Sequence, residues 1–138
     1  MKARHKARKR ALDILFESQL RGLEPLDVLQ SRADDPEIAL NPFTTSLVQG
    51  VCTHRSDIDE TIAQYSRGWE LDRMPVVDIC ILRLAVFELM HQPDVPVSVV
   101  LSEAVELASD LSTDESAGFV NGVLARIAVA VPGRSPSP

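Results

Sequence analysis

The chain is poor in the residues that build most reactive sites. Two cysteines, Cys52 and Cys80, lie far apart and outside any CxxC pair, which argues for buried apolar fillers and against a zinc knuckle or a disulfide. The three histidines, His5, His54 and His91, are scattered. No HExxH and no glycine-rich phosphate loop occurs, so the expectation is a protein with no metal, no cofactor and no enzymatic activity. No apolar run approaches the roughly 18 residues of a spanning helix. The basic start is not followed by a signal-type apolar region, so the chain is expected to be cytoplasmic and intact. Aromatic residues make up 4% of the chain, so each exposed ring counts as a feature.

Acidic residues are missing from the first ten positions, and that absence is informative. Lys2, Arg4, Lys6, Arg8, Lys9 and Arg10 stand there, six of the fourteen basic residues in a chain of net charge −6. The remainder holds eight basic residues (14 less 6) against 20 acidic ones. A cationic arm on an acidic body fits a polyanion partner better than the net charge suggests.

Nearly all of the 138 residues carry helical apolar spacing, and no segment alternates with a period of two. Ala7, Ala11, Ile14, Leu15 and Ser18 line one face of a first helix, which Gly22 can stop. Pro25 opens a short second helix. Asn41-Pro42 supplies an N-cap and a first-turn proline for one long helix running through Leu47, Val51, Ile58, Ile62 and Tyr65 to Gly68. A turn or short helix is expected from Trp69 to Met74. Pro75 then starts a helix apolar nearly all round, the pattern of a bundle centre. Pro93 and Pro96 separate it from an amphipathic helix through Leu111. Ser112 and Glu115 suggest a capping box for the last helix, which ends near Val131. The fold class is all-α, with six or seven helices. Three segments follow from this reading: an arm over residues 1–10, one helical domain over 3–131, and a disordered tail over 132–138.

On a wheel at 100° per residue, Lys2, Lys6, Lys9 and Arg10 occupy roughly one quadrant, with Phe16 about 20° from Lys9. Cations beside an aromatic ring suit single-stranded nucleic acid; a solvated terminus with a core Phe16, or an anionic surface, are the alternatives. Arg4 and Arg8 point to the apolar side, so the first turns are expected to project from the body or stay unfolded until bound. In the last helix Gly118, Gly122 and Ala125 form a stripe of small residues, read as a close helix–helix contact. Phe119 is either core or surface. Asn121, off the apolar stripe, can bond a base edge or a backbone group. Asp78, Arg83 and Glu88 punctuate the apolar helix. Asp78 suits the helix dipole, while Arg83 and Glu88 are expected to cap or pair with neighbouring helices; a charged rim around a partner surface is the other reading.

Together these segments resemble the NusB family over nearly the full length. The resemblance rests on the basic start leading to Ala11-Leu12-x-Ile14-Leu15-Phe16, and on Val77-Asp78-x-x-Ile81-Leu82-Arg83-Leu84-x-x-x-Glu88-Leu89. It extends through Asp94-Val95-Pro96, Glu103-Ala104-Val105-Glu106-Leu107-Ala108, and Phe119-Val120-Asn121-Gly122-Val123-Leu124 preceded by Asp114, Glu115 and Ser116. It implies two packed helical bundles and a bacterial factor that binds boxA RNA with NusE, a small-subunit ribosomal protein. Such a factor joins the RNA polymerase antitermination complex and promotes read-through in ribosomal RNA operons. It further implies RNA contacts from the basic arm, Phe16 and the Phe119 region, with Glu115 on the same border, and a NusE-facing surface at Asp78. Gly118 stands where a basic residue can occur. Some relatives form homodimers. A similar domain precedes the catalytic part of some ribosomal RNA cytosine methyltransferases, which gives an alternative reading as a binding half; a structural interaction protein with an incidental basic arm is another.

Overall fold

A computed structural model describes residues 2–36, 41–66 and 73–131, apart from the Lys2 side chain. It contains seven described helices: α1 (Lys2–Arg21), α2 (Pro25–Ser31), α3 (Pro42–Thr53), α4 (Arg55–Tyr65), α5 (Val76–His91), α6 (Val97–Leu111) and α7 (Asp114–Ala130). No strand occurs among the described residues, and none of these helices is long and apolar enough to cross a membrane. The expected tail over 132–138, the stop at Gly68 and most of the turn from Trp69 lie outside the described residues.

The punctuation residues act as their chemistry requires. Gly22 takes φ +66°, and the Leu23 N–H donates back to the Ser18 carbonyl at 2.9 Å. This is the six-residue closure that a left-handed residue permits at a helix end. The Asn41 side chain accepts from the Phe43 N–H at 3.2 Å, with Pro42 in the first turn. The last helix is capped one residue later than expected: Thr113, not Ser112, accepts from the Ser116 N–H at 3.0 Å.

α5 is the axis of the molecule. Every residue from Asp78 to Leu89 is buried, as its uniform apolarity requires. On one side α1, α2 and α3 pack on one another; on the other α4 and α6 pack on α7, and α5 joins the two groups. Both its interior charges are paired. Arg83 donates Nε and Nη2 to Asp59 of α4 at 2.8 and 3.1 Å, and Nη1 to Gln19 of α1 at 3.3 Å. Glu88 receives Arg8 of α1.

The expected single helix from Asn41 to Gly68 is two helices. His54 interrupts it at φ −109°, ψ 19°, and its ring stacks on His91 with centroids 3.7 Å apart and on Phe87 at 6.1 Å. A Cβ at Gly50 would overlap the Phe87 ring, so this glycine lets α3 close onto α5. The stack sets the turn between α3 and α4, while Val51, Ile58 and Ile62 all remain buried.

Candidate nucleic-acid interface

The arm is neither projecting nor unfolded: α1 is helical from Lys2 and docked on the body. Arg8 explains why. Its side chain is 6% exposed and forms a two-point contact with Glu88, Nε to Oε1 at 2.8 Å and Nη2 to Oε2 at 3.1 Å. Nη1 reaches Glu103 of α6 at 3.2 Å. A planar guanidinium matches two carboxylates better than an ammonium would. Burial pushes the Glu88 carboxyl up from its ordinary range, and the Arg8 hydrogen bonds oppose that rise. Polar bonds from α3 hold the same turns: Thr44 Oγ1 donates to the Ala7 carbonyl at 3.2 Å and Asn41 Nδ2 to the Ala3 carbonyl at 3.2 Å. Arg4 lies over the Phe43 ring, 4.5 Å from its centroid, and Arg8 lies 5.3 Å from it.

With Arg8 spent on the interior, the cationic surface consists of the other arm residues. Arg4 is half-exposed, 4.0 Å from an exposed Asp94. Lys6 is exposed, with no ion pair among the described residues. Lys9 and Arg10 share one carboxylate, Asp13, at 2.9 and 3.5 Å. Exposed pairs of this kind contribute little, so phosphates can displace them. The wheel position of Phe16 is realised as a half-buried ring on the same helix.

The second surface lies at the start of α7. Phe119 is half-buried against the core and borders a pocket of about 450 Å³ lined also by Arg73, Met74, Pro75, Asp78 and Glu115. Glu115 and Asn121 are exposed. Asp78, expected on the NusE-facing surface, is 2% exposed. Its Oδ2 accepts from Ser116 Oγ at 2.7 Å, and Ser112 and Thr113 donate to that same hydroxyl. Its other oxygen, Oδ1, is buried with no donor among the described residues. The acid is thus part of the pocket wall, locked by the cap of α7.

Among the described residues the small-residue stripe does not seat another helix. None of them lies within 4 Å of a Cβ built at Gly118, and only the tip of Arg126 approaches one at Gly122. The buried face of α7 runs instead through Ser116, Ala117, Val120, Val123, Leu124 and Ile127. The glycines leave bare helix beside Phe119.

α1 runs antiparallel to α5, since Arg8 meets Glu88 and Gln19 meets Arg83. The surface cations therefore sit toward the C-terminal end of α5, and Phe16 lies about 18 Å further along the helix from Arg4 at 1.5 Å per residue. That displacement leads toward the end of α5 that carries Asp78. Phe43, Thr113 and Arg73 join the site without a sequence signal, because their roles depend on packing between helices.

Comparison with known proteins gives the family. The NusB family profile matches residues 5–129. The chain is 52% identical over 127 residues to the transcription antitermination protein NusB of Arthrobacter sp. strain FB24, covering 92% of this chain and 93% of the relative. It is 53% identical over 131 residues to the protein of the same name from Kineococcus radiotolerans, covering 93% and 94%. Among solved structures, T. maritima NusB superposes with a TM-score of 0.78 at 33% identity, covering 93% of this chain and 92% of that one. A chain from the crystal structure of the antitermination factors NusB and NusE in complex with double-stranded RNA superposes at 0.84 with 28% identity, covering 94% and 98%. The docked cationic helix and the capped Phe119 pocket are therefore features of a chain that belongs to the NusB family.

Proposed function

We propose that this chain is an RNA-binding transcription antitermination factor that binds boxA RNA together with NusE and promotes read-through of terminators in ribosomal RNA operons. It works by binding alone, in the cytoplasm, within the antitermination complex of RNA polymerase. Exposed cations of α1 hold phosphates, Phe16 and Phe119 stack unpaired bases, and Glu115 and Asn121 border the base-reading end. Lys2 joins the cationic set by its position in the sequence. Arg8 is a positioning residue in this scheme: it keeps the helix docked so that Arg4, Lys6, Lys9 and Arg10 face outward. Asp78 serves NusE or RNA through the pocket it lines rather than across an open surface.

The observation that carries this reading is the pairing of a half-buried Phe119 with the exposed carboxylate of Glu115 on one pocket. The ring seats a base by stacking and so holds its edge in the pocket that Glu115 also lines, where a carboxylate accepts from base edges that carry a donor; without the ring that edge is not presented. A gel shift with boxA RNA and a scrambled control, each with and without NusE, tests it. Preferred binding of boxA, strengthened by NusE, is the expected result. Equal binding of both RNAs under both conditions would reduce the function to nonspecific attachment.

A further inference from the structure

Where the first turn of α1 meets α6, three metal-ligating side chains converge that the RNA reading does not use. His5 Nδ1 lies 3.1 Å from Oε1 and 3.3 Å from Oε2 of Glu103, and 3.8 Å from Oε2 of Glu106. One ligand atom from each residue falls within 4.8 Å of the others. Donors placed tetrahedrally at about 2.0–2.1 Å from a zinc ion are separated by about 3.3 Å. The side chains thus stand close to a ligating arrangement, and rotation of the half-exposed Glu106 side chain would complete it. Glu103 and Glu106 share a face of α6 by their three-residue spacing.

The support behind the donors is an independent observation. Arg8 Nη1 occupies Glu103 Oε1 at 3.2 Å and is itself fixed by Glu88. Oε1 is also the oxygen nearer to His5, at 3.1 Å against 3.3 Å, so Oε2, which Arg8 does not engage, is the oxygen left for an ion. Ligating carboxylates characteristically carry such an outer hydrogen bond. The charge also fits. Glu88 answers the Arg8 guanidinium, while Glu103 and Glu106 bring two carboxylates to His5. Two carboxylate charges match a divalent cation. A donor set of one imidazole nitrogen and two carboxylates suits a first-row transition ion, and zinc in particular, over magnesium or calcium, which prefer oxygen alone.

We propose that His5, Glu103 and Glu106 form a Zn²⁺ site that ties the first turn of α1 to α6 and leaves one coordination position open to solvent. None of the three donors is among the residues assigned to RNA, so metal binding is read out independently of the boxA reading. Calorimetric titration of Zn²⁺ into the tag-free, metal-stripped full chain should give one ion per chain. Co²⁺ should give the visible absorption of a four-coordinate ion. His5→Ala and Glu106→Gln, each checked for unchanged helicity by circular dichroism, should weaken binding at least about 10-fold, since loss of even an outer-shell partner costs about 10–100-fold. A His54→Gln/His91→Gln variant, which removes the other two histidines, should leave the affinity unchanged. Mg²⁺ should not compete at equal concentration. Failure of the native chain to bind Zn²⁺ would overturn the proposal. So would binding that survives both His5→Ala and Glu106→Gln, or that is lost with His54 and His91.

Discussion

Replacing Arg8 by methionine should damage the fold far more than the RNA contact. The guanidinium is nearly buried and engages two carboxylates, of which Glu88 is 1% exposed. Removing one partner of a buried pair leaves an uncompensated charge and costs about 3–5 kcal/mol. For a chain of this size about 4 °C of melting temperature accompanies each kcal/mol, so a fall of about 12–20 °C is expected. Urea unfolding followed by circular dichroism at pH 7 measures it. The double variant Arg8→Met/Glu88→Leu should recover most of the loss, because apolar replacement of a buried pair is often near neutral. The pH dependence has a definite sign. Without Arg8 the Glu88 carboxyl is raised further by burial. A group with a raised folded pKa stabilises below its unfolded value, about 4.3, and loses that contribution as pH rises through the folded value. The Arg8→Met defect should therefore shrink on acidification from pH 7 toward pH 5. A loss below about 1 kcal/mol together with a tenfold loss of RNA affinity would refute the reasoning and make Arg8 a phosphate ligand.

Three further outcomes follow. With Lys2, Arg4, Lys6, Lys9 and Arg10 as the phosphate contacts, log K for single-stranded RNA should fall against log salt with a slope of about −0.7 × 5, near −3.5; filter binding across a salt series checks this, and a slope near zero dismisses the arm. Burial and the stacked His54 lower the pKa of His91, so the stability it contributes is complete above about pH 6.5 and declines as pH falls toward the depressed folded value; in His91→Gln the decline of urea midpoint between pH 7 and pH 5 should be smaller than in the native chain, and an unchanged decline would show that His91 does not cause it. Gly118→Lys fits open space and should stabilise the helix by about 0.5–1 kcal/mol, tighten RNA binding and steepen the salt slope by about 0.7; weaker binding would mean that RNA needs the bare backbone there.

What could be read from the chain followed distance along it. Gly22, Asn41-Pro42, Pro75 and Pro96 act on their own neighbours, so the helix boundaries they set were legible. The turn at His54 was not, because Val51, Ile58 and Ile62 keep the helical phase across it and neither glycine nor proline stands there. Its cause is a ring stack with Phe87 and His91 on another helix. The charge of the arm was legible, but its division was not. Glu88 and Glu103 lie 80 and 95 positions from Arg8, and only packing shows that they claim it. The same holds for Asp78, whose burial depends on Ser116, 38 positions on. The glycine stripe misled because small residues signal close approach without saying of what. The pairing of helical face with chemistry placed Phe16 and Phe119 near the site, while Phe43 and Arg73 acquired roles only in three dimensions.

The central claim divides the labour: α1 holds the RNA backbone and the Phe119 pocket selects the sequence. The ratio of affinities for boxA and scrambled RNA, measured by fluorescence anisotropy at one salt concentration, tests that division most directly. Lys6→Gln/Lys9→Gln/Arg10→Gln should weaken both RNAs alike and preserve the ratio. Phe119→Ala, with helicity retained, should weaken boxA binding by about 1–3 kcal/mol through lost stacking and bring the ratio toward one. A ratio that collapses with the three arm substitutions and survives Phe119→Ala would contradict the account.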